Sequence, residues 1–207
     1  PTRRSSDLVR VVGDKMQILD GQHRFFISKK LKRPVHYILI AEDKSIYDIA
    51  RINSNVEKWK NTDFINGYIT GGNKNYNKIK QYIDTYHFGV GITLNLLHNA
   101  TPGTDNGSLK GLMQTFQNGR FEVKKWNEAV EFAETCKLFS AFKSWSSRGF
   151  LIAIYKIQKA GKITIEEIHE QFLKHPNVIV YHDTWKEYII NIEALMNISK
   201  RQRVIIT

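Results

Sequence analysis

One unit of strand, tight break, helix and strand constrains this chain more than any other part of its sequence. Met16–Leu19 is a short apolar run, typical of a buried strand, and Asp20 and Gly21 end it. Apolar residues then recur at helical spacing. Pro34 ends the helix, because proline disfavours helical backbone in the residue before it, and Val35–Ile40 predicts the next strand.

The start of this helix has the features of an anion site. Asp20 is predicted to be the N-cap of a helix that continues to Lys32. The first amides of a helix lack partners inside it, and here they would lie beside His23 and Arg24. An anion could therefore interact with amides, helix dipole and guanidinium together. From spacing alone, Asp-Gly could also be only a turn, followed by an ordinary exposed helical turn.

The remaining pattern predicts an α+β fold. Leu8–Val12 and Met16–Leu19 form a hairpin through a Gly13-Asp14 turn, so a small α/β module, with a short sheet and the motif helix, occupies residues 1–60. Residues 61–207 are predicted to be mainly helical, with a sub-boundary at 99–108. Helices are expected over 46–52, from 62 or 63 to 70, and over 75–87, 92–98 and 109–116. Four stronger helices with apolar stripes follow.

Composition and charge restrict the class of protein. The chain of 207 residues is 42% hydrophobic and carries a net charge of +11, which favours a polyanionic partner such as DNA. Its one cysteine, Cys136, predicts a cytoplasmic protein without an internal disulfide. The seven histidines lack metal-ligand spacing, so no metal site is predicted. No apolar run reaches membrane-spanning length, and we expect no membrane partner.

The first eight residues are not expected to be native. Pro1–Leu8, PTRRSSDL, is what one reading frame of a widely used short-read sequencing adapter encodes, and no initiator Met precedes it. We therefore expect an N-terminally truncated fragment from an environmental, metagenomic assembly. Removing the segment lowers the net charge by only one, so the basic character remains.

Asp20-Gly21-Gln22-His23-Arg24 resembles the DGQHR variant of the ParB/sulfiredoxin superfamily, found in phage, plasmid and DNA-modification-associated proteins. The resemblance covers residues 8–40 and extends at most to 55. It implies that Gly21 and Arg24 contact the phosphates of a nucleoside triphosphate, CTP or ATP with Mg²⁺, with His23 beside them. Gln22 stands where sulfiredoxins have their catalytic cysteine, which excludes sulfinic acid reduction. The upstream Asn-Pro-x-x-x-Arg-type box of ParB proteins is absent.

The same resemblance adds a second group of ligand-binding candidates. Sequences of the DGQHR type carry a similar Ile-Asn-x-x-x-x-x-Trp stretch after the second strand, which implies that Asn53 and Asn55 face the Asp20 loop. A carboxamide donates and accepts hydrogen bonds at once, which suits base or ribose recognition. As ordinary turn residues, both asparagines would instead only cap a helix end.

Basic residues recur beside aromatic ones. Such groups suit contact with a phosphate backbone, although each pair alone is typical of a solvated face. Trp59, Trp126 and Tyr76 are the interleaved aromatic residues. The predicted DNA-binding residues are Lys29, Lys30, Lys32, Arg33, Lys58, Lys60, Lys124 and Lys125.

The function that these observations favour is nucleotide or phosphate binding at the Asp20–Arg24 loop by a ParB-like protein that acts on or near DNA. Asp20, Gly21, Gln22, His23 and Arg24 would form the site, together with Asn53 and Asn55. Two alternatives remain open: a nucleotide hydrolase or DNA endonuclease that uses the same loop, with His23 and Arg24 as catalytic candidates, and a non-catalytic DNA-binding adaptor. The sequence does not decide whether the protein is an enzyme.

Overall fold

The computed structural model describes residues 7–40, 59–103, 106–198 and 205–206. Its fold class is α+β, as predicted, with a small mixed sheet and a larger share of helix. The chain divides between Gly71 and Gly72 into two compact units, whereas the sequence placed the boundary at residue 60. None of the helices in the described part of the chain is long and apolar enough to cross a membrane.

The first unit contains a three-stranded sheet of order β2-β1-β3. β1 (Asp7–Val12) and β2 (Lys15–Asp20) form the predicted antiparallel hairpin, and β3 (Tyr37–Leu39) pairs with β1 in parallel. A parallel pair needs a crossover connection, and α1 (Gln22–Lys30) supplies it. α2 (Asn61–Thr70) follows in the same unit.

Two predicted boundaries in this unit are wrong by a few residues. α1 ends at Lys30, not at Lys32, because Lys32 adopts a left-handed backbone with φ 50° that a helix cannot contain. The strand after Pro34 is shorter than Val35–Ile40, since only Tyr37–Leu39 pairs with β1. The predicted helix over 46–52 lies outside the described residues.

The second unit is built from helices. They are α3 (Lys74–Tyr86), α4 (Val90–Asn99), α5 (Asn106–Gln117), α6 (Trp126–Lys137), α7 (Arg148–Ala160), α8 (Ile165–Lys174) and α9 (Trp185–Met196). α4 begins two residues before the predicted start at 92 and includes Gly91. A side chain at Gly91 would lie 3.3 Å from the Leu109 side chain, so glycine lets α5 pack closely on α4. α5 begins at Asn106, inside the predicted sub-boundary at 99–108 and before the predicted helix start at 109.

The core of the second unit follows the predicted apolar stripes of the last four helices. Phe139 packs edge-on against Phe150 and tilted against Phe172, with ring centroids 5.5 and 5.6 Å apart. α8 begins with a capping box, in which the Glu167 N–H donates to Thr164 Oγ1. Buried residues of these stripes are Ala129, Phe132, Ala133, Cys136, Phe150, Leu151, Ile154, Ile157, Ile165, Ile168, Phe172, Tyr188, Ile189, Ile192 and Leu195.

Two groups that can ionise, the Tyr82 hydroxyl and the Cys136 thiol, are buried in this core. The Tyr82 hydroxyl donates to the Ala129 carbonyl at 2.7 Å, and burial raises its pKa far above the usual value. Cys136 is a free, buried thiol whose pKa is also raised by burial. Because the thiolate is the reactive form, Cys136 acts as a small apolar core residue.

Candidate phosphate-binding site

The loop between β2 and α1 is formed by residues 20–24, the segment that the sequence singled out. Asp20 is the last residue of β2, and Gly21 is the N-cap of α1, with φ 95° and ψ 14°. The Phe25 N–H donates to the Gly21 carbonyl at 2.9 Å, which opens the helical hydrogen-bond ladder. The prediction that Asp20 caps the helix is therefore wrong: Asp20 belongs to the strand, and its carboxylate turns toward Arg24.

Only glycine fits at position 21, for two independent reasons. Its φ of +95° lies in a region that side chains rarely adopt. A Cβ there would also lie 2.0 Å from Asp7 Oδ1 and 2.8 Å from Arg24 Nη2, closer than atoms can approach. The backbone at Gly21 therefore lies directly against the pair that Asp7 forms with Arg24.

Asp7 is the site residue that the sequence analysis missed. Its Oδ1 accepts a hydrogen bond from Arg24 Nε at 2.8 Å, and its side chain is only 4% exposed. The Asp7 N–H donates to the His36 carbonyl at 2.8 Å, which joins β1 to the segment before β3. Asp7 lies in residues 1–8, which we expect to be adapter-derived.

The Arg24 side chain contacts two carboxylates and is partly exposed to solvent. Its Nε is hydrogen-bonded to Asp7, and the side chain is 46% exposed. Asp20 Oδ2 lies 3.7 Å from Arg24 Nη2, which is within ion-pair range but longer than a hydrogen bond. The contact with Asp7 is therefore the closer of the two.

A cavity of about 210 Å³ lies beside Arg24. Arg24, Ile27 and Ser28 line it from α1, and Asp7 and residues 34–36 complete the lining. This volume is smaller than the roughly 300–1,000 Å³ of typical small-molecule sites. The cavity can hold a phosphate or a single small ring but does not enclose a whole nucleotide.

The other loop residues lie on the surface. Gln22 and His23 are exposed in the first turn of α1, beside Arg24. Their amides precede the first hydrogen bond of the helix, which the Phe25 N–H donates to the Gly21 carbonyl. Asn53, Asn55 and Lys58 lie outside the described residues, and their predicted roles stay predictions.

Most of the predicted DNA-binding residues are exposed but lie away from this loop. Lys29 and Lys30 end α1, and Lys32 and Arg33 follow it, all exposed. At about 1.5 Å of rise per residue, Lys29 and Lys30 lie about 8–9 Å beyond Arg24 along α1, and neither lines the cavity beside Arg24. Lys60 is the N-cap of α2, while Lys124 and Lys125 precede α6 in the second unit.

The aromatic residues proposed to interleave with these cations are mostly engaged in packing. Trp59 lies 5.2 Å from the ring of Phe64 and against Gly67. Tyr76 is fully buried, with its hydroxyl bonded to the Phe116 carbonyl, so its predicted contact with nucleic acid is wrong. Trp126 is half-buried and keeps part of its surface open.

Compared with protein-family models, curated proteins and solved structures, the chain shows no match. Among the described residues, no group of three or more histidine, cysteine, aspartate or glutamate side chains is arranged to hold a metal ion. The geometry of the loop and the charge of the chain are therefore the features from which a function can be inferred.

Proposed function

We propose that this chain binds a phosphate group, as part of a nucleotide, at the loop of residues 20–24, and that it acts on or near DNA. The observation that carries the proposal is the placement of Arg24. Its guanidinium is oriented by the buried Asp7 and remains half exposed beside the first turn of α1. Positioned guanidinium groups and helix N-termini are both common phosphate ligands in proteins.

Gly21 contributes by removing bulk. Because no Cβ projects from the N-cap, the Asp7–Arg24 pair can lie directly against the backbone at the helix start. Gln22 and His23 then present their amides and their exposed side chains to the same space. His23 can hydrogen-bond a phosphate oxygen or exchange a proton with it, while Arg24 neutralises the charge.

The charge balance of the loop favours a nucleotide that brings a cation. Asp7, Asp20 and Arg24 together carry one net negative charge when both carboxylates are ionised. A bare phosphate would be repelled by Asp20. Mg²⁺ prefers carboxylate and phosphate oxygens, and the loosely paired Asp20 is the loop carboxylate available to hold it. Asp7 is buried in its contact with Arg24 and does not suit this role.

The size of the cavity limits which part of a nucleotide the described residues can hold. Phosphate at the start of α1 would leave about 210 Å³ beside Arg24 and Ser28. That space fits a sugar or one ring, so the rest of the nucleotide would extend beyond the described cavity wall. Asn53 and Asn55 are the proposed additional contacts.

A thermal-shift comparison tests the proposal. CTP, ATP and GTP are each compared with and without Mg²⁺. A nucleotide that binds should raise the melting temperature of the chain by several degrees when ligand is far above Kd, and by more with Mg²⁺ than without it. The shift should disappear in Arg24→Ala and persist in Arg33→Ala, which removes the same charge from an exposed position beyond the far end of α1. No shift with any nucleotide in the folded chain would contradict the proposal.

A second candidate function rests on the same ion pair. Arg24 is bound to a buried carboxylate, and this contact would explain Gly21 and Arg24 as structural residues of a non-catalytic DNA-binding adaptor. In that case nucleotides would cause no shift. DNA would bind with strong salt dependence, because of the net charge of +11, and Arg24→Ala would leave that affinity unchanged.

A further inference from the structure

The loop of residues 119–125 is hydrogen-bonded to the start of α3 in the second unit. The Asn73 side-chain amide donates to the Gly119 carbonyl at 3.1 Å. Asn75 Oδ1 accepts a hydrogen bond from the Val123 N–H at 3.0 Å. These contacts join segments more than forty residues apart, so the loop has a defined position on α3.

The end of the same loop is fixed to α4. The backbone N–H groups of Lys124 and Lys125 both donate to the Leu97 carbonyl at 2.9 Å. The two lysine side chains therefore project from a fixed backbone and are exposed. This is a feature that their sequence neighbourhood alone does not show.

α3 adds cations to this surface. Lys74 and Lys78 are four residues apart, so they lie on one face of the helix, and both are exposed. Lys78 Nζ lies 5.7 Å from the ring centroid of Trp126, directly after the loop. We call the resulting patch the α3 basic surface; its members are Lys74, Lys78, Arg120, Lys124 and Lys125.

Among the described residues, most of these charges have no acidic partner. Lys125 pairs with Glu128 at 2.8 Å, and this hydrogen bond lowers the pKa of Glu128. The other four members form no ion pair with any residue in the part of the chain that the structure describes. Glu122 is the one carboxylate carried by the loop itself, so the surface has a clear positive excess.

The surface lacks the apolar centre of a protein-binding site. None of the large apolar side chains that are exposed in the described residues lies on α3 or on residues 119–126. Protein interfaces bury an apolar and aromatic core inside a polar rim. Contacts with a nucleic-acid backbone instead come from spaced lysine and arginine side chains and need no such core.

We infer that the α3 basic surface binds the phosphate backbone of nucleic acid without reading its bases. This inference rests on the DNA-associated part of the proposed function and assigns it to particular residues of the second unit. It adds Lys74, Lys78 and Arg120 to the two lysines that the sequence suggested. Trp126 supports Lys78 through a cation–π contact and limits its freedom.

Fluorescence anisotropy with a labelled duplex of about 30 base pairs tests the inference on the full chain. The quadruple variant K74A/K78A/R120A/K124A should bind at least about tenfold more weakly than the parent chain near 100 mM salt. Each lost phosphate contact makes the log–log salt slope shallower by about 0.9, so the slope should change by about 3 to 4. A control variant, K143A/K159A/K162A/K174A, removes the same charge from exposed positions elsewhere in this unit.

The inference is overturned if both quadruple variants weaken binding equally, or if neither does. It is also overturned if polyglutamate of equal charge competes as well as unlabelled duplex, because the surface would then favour an acidic protein. These outcomes are separate from the nucleotide test, since Arg24→Ala leaves every member of the α3 basic surface intact.

A second variant tests the position of the loop without changing charge. Asn75→Ala removes the acceptor that holds Val123, and it should weaken duplex binding about threefold, while Asn77→Ala, on an exposed part of α3, should not. Circular dichroism melting establishes that each variant is folded. Equal affinities of both asparagine variants and the parent chain would contradict a role for the anchored loop.

Discussion

Arg24 Nε donates a hydrogen bond of 2.8 Å to Oδ1 of Asp7, a carboxylate that is almost completely buried. A buried charge is costly when its partner is removed, so we expect strong coupling between these residues. In a cycle of Asp7→Asn, Arg24→Gln and the double variant, urea unfolding should give a coupling energy of about 1 to 2 kcal/mol. Strict additivity of the two single changes would show that the pair contributes nothing to stability.

Gly21→Ala should destabilise the first unit more than a left-handed backbone alone explains. The added Cβ would clash with Asp7, whereas a Cβ at Gly13, with φ +60°, meets nothing within 4 Å. Gly13→Ala therefore measures the cost of placing alanine at a positive φ, about 1 to 2 kcal/mol of unfolding free energy. The loss of unfolding free energy in Gly21→Ala should be larger by at least about 1 kcal/mol. The measurement is the urea dependence of amide signals from β1 and β2. Equal losses in the two variants would show that the loop relaxes away from Asp7.

Asp20→Asn should change how nucleotide binding depends on Mg²⁺. Without the Asp20 carboxylate, the positive charge of Arg24 and the negative charge of Asp7 cancel. Nucleotide without metal should therefore bind several-fold more tightly. The additional affinity that Mg²⁺ gives the parent chain should be reduced. Isothermal titration calorimetry with and without Mg²⁺ measures both effects. An unchanged Mg²⁺ dependence would exclude Asp20 as the residue that holds the cation.

Local sequence patterns predicted the apolar stripes of the helices, the hairpin and the strand-to-helix break. Apolar periodicity predicted the stripes of the last four helices, because burial there repeats every three to four residues within one element. The hairpin followed from two apolar runs and the Gly13-Asp14 turn between them. The strand-to-helix break at residues 20 and 21 was also correct, although the capping residue was not.

The missed features are contacts between distant segments. Asp7 and Arg24 are hydrogen-bonded although they are 17 residues apart in the sequence, and Asn75 and Val123 although they are 48 residues apart. Neither pair therefore produces a periodic signal. Asp20 was assigned as an N-cap because aspartate is common there, but pairing of β2 with β1 keeps it in the strand. The helix predicted over 92–98 begins two residues earlier, at Val90, so Gly91 lies inside α4 and packs against Leu109.

The central claim is that a phosphate group binds at the start of α1, beside Arg24. The most direct measurement is an amide NMR titration of the full chain with ATP and CTP in the presence of Mg²⁺. We predict saturable shifts at the amides of Gln22, His23 and Arg24, lost in Arg24→Ala and retained in Arg33→Ala. Titrations that leave these amides unchanged, or that perturb only the exposed lysines of the second unit, would contradict the claim.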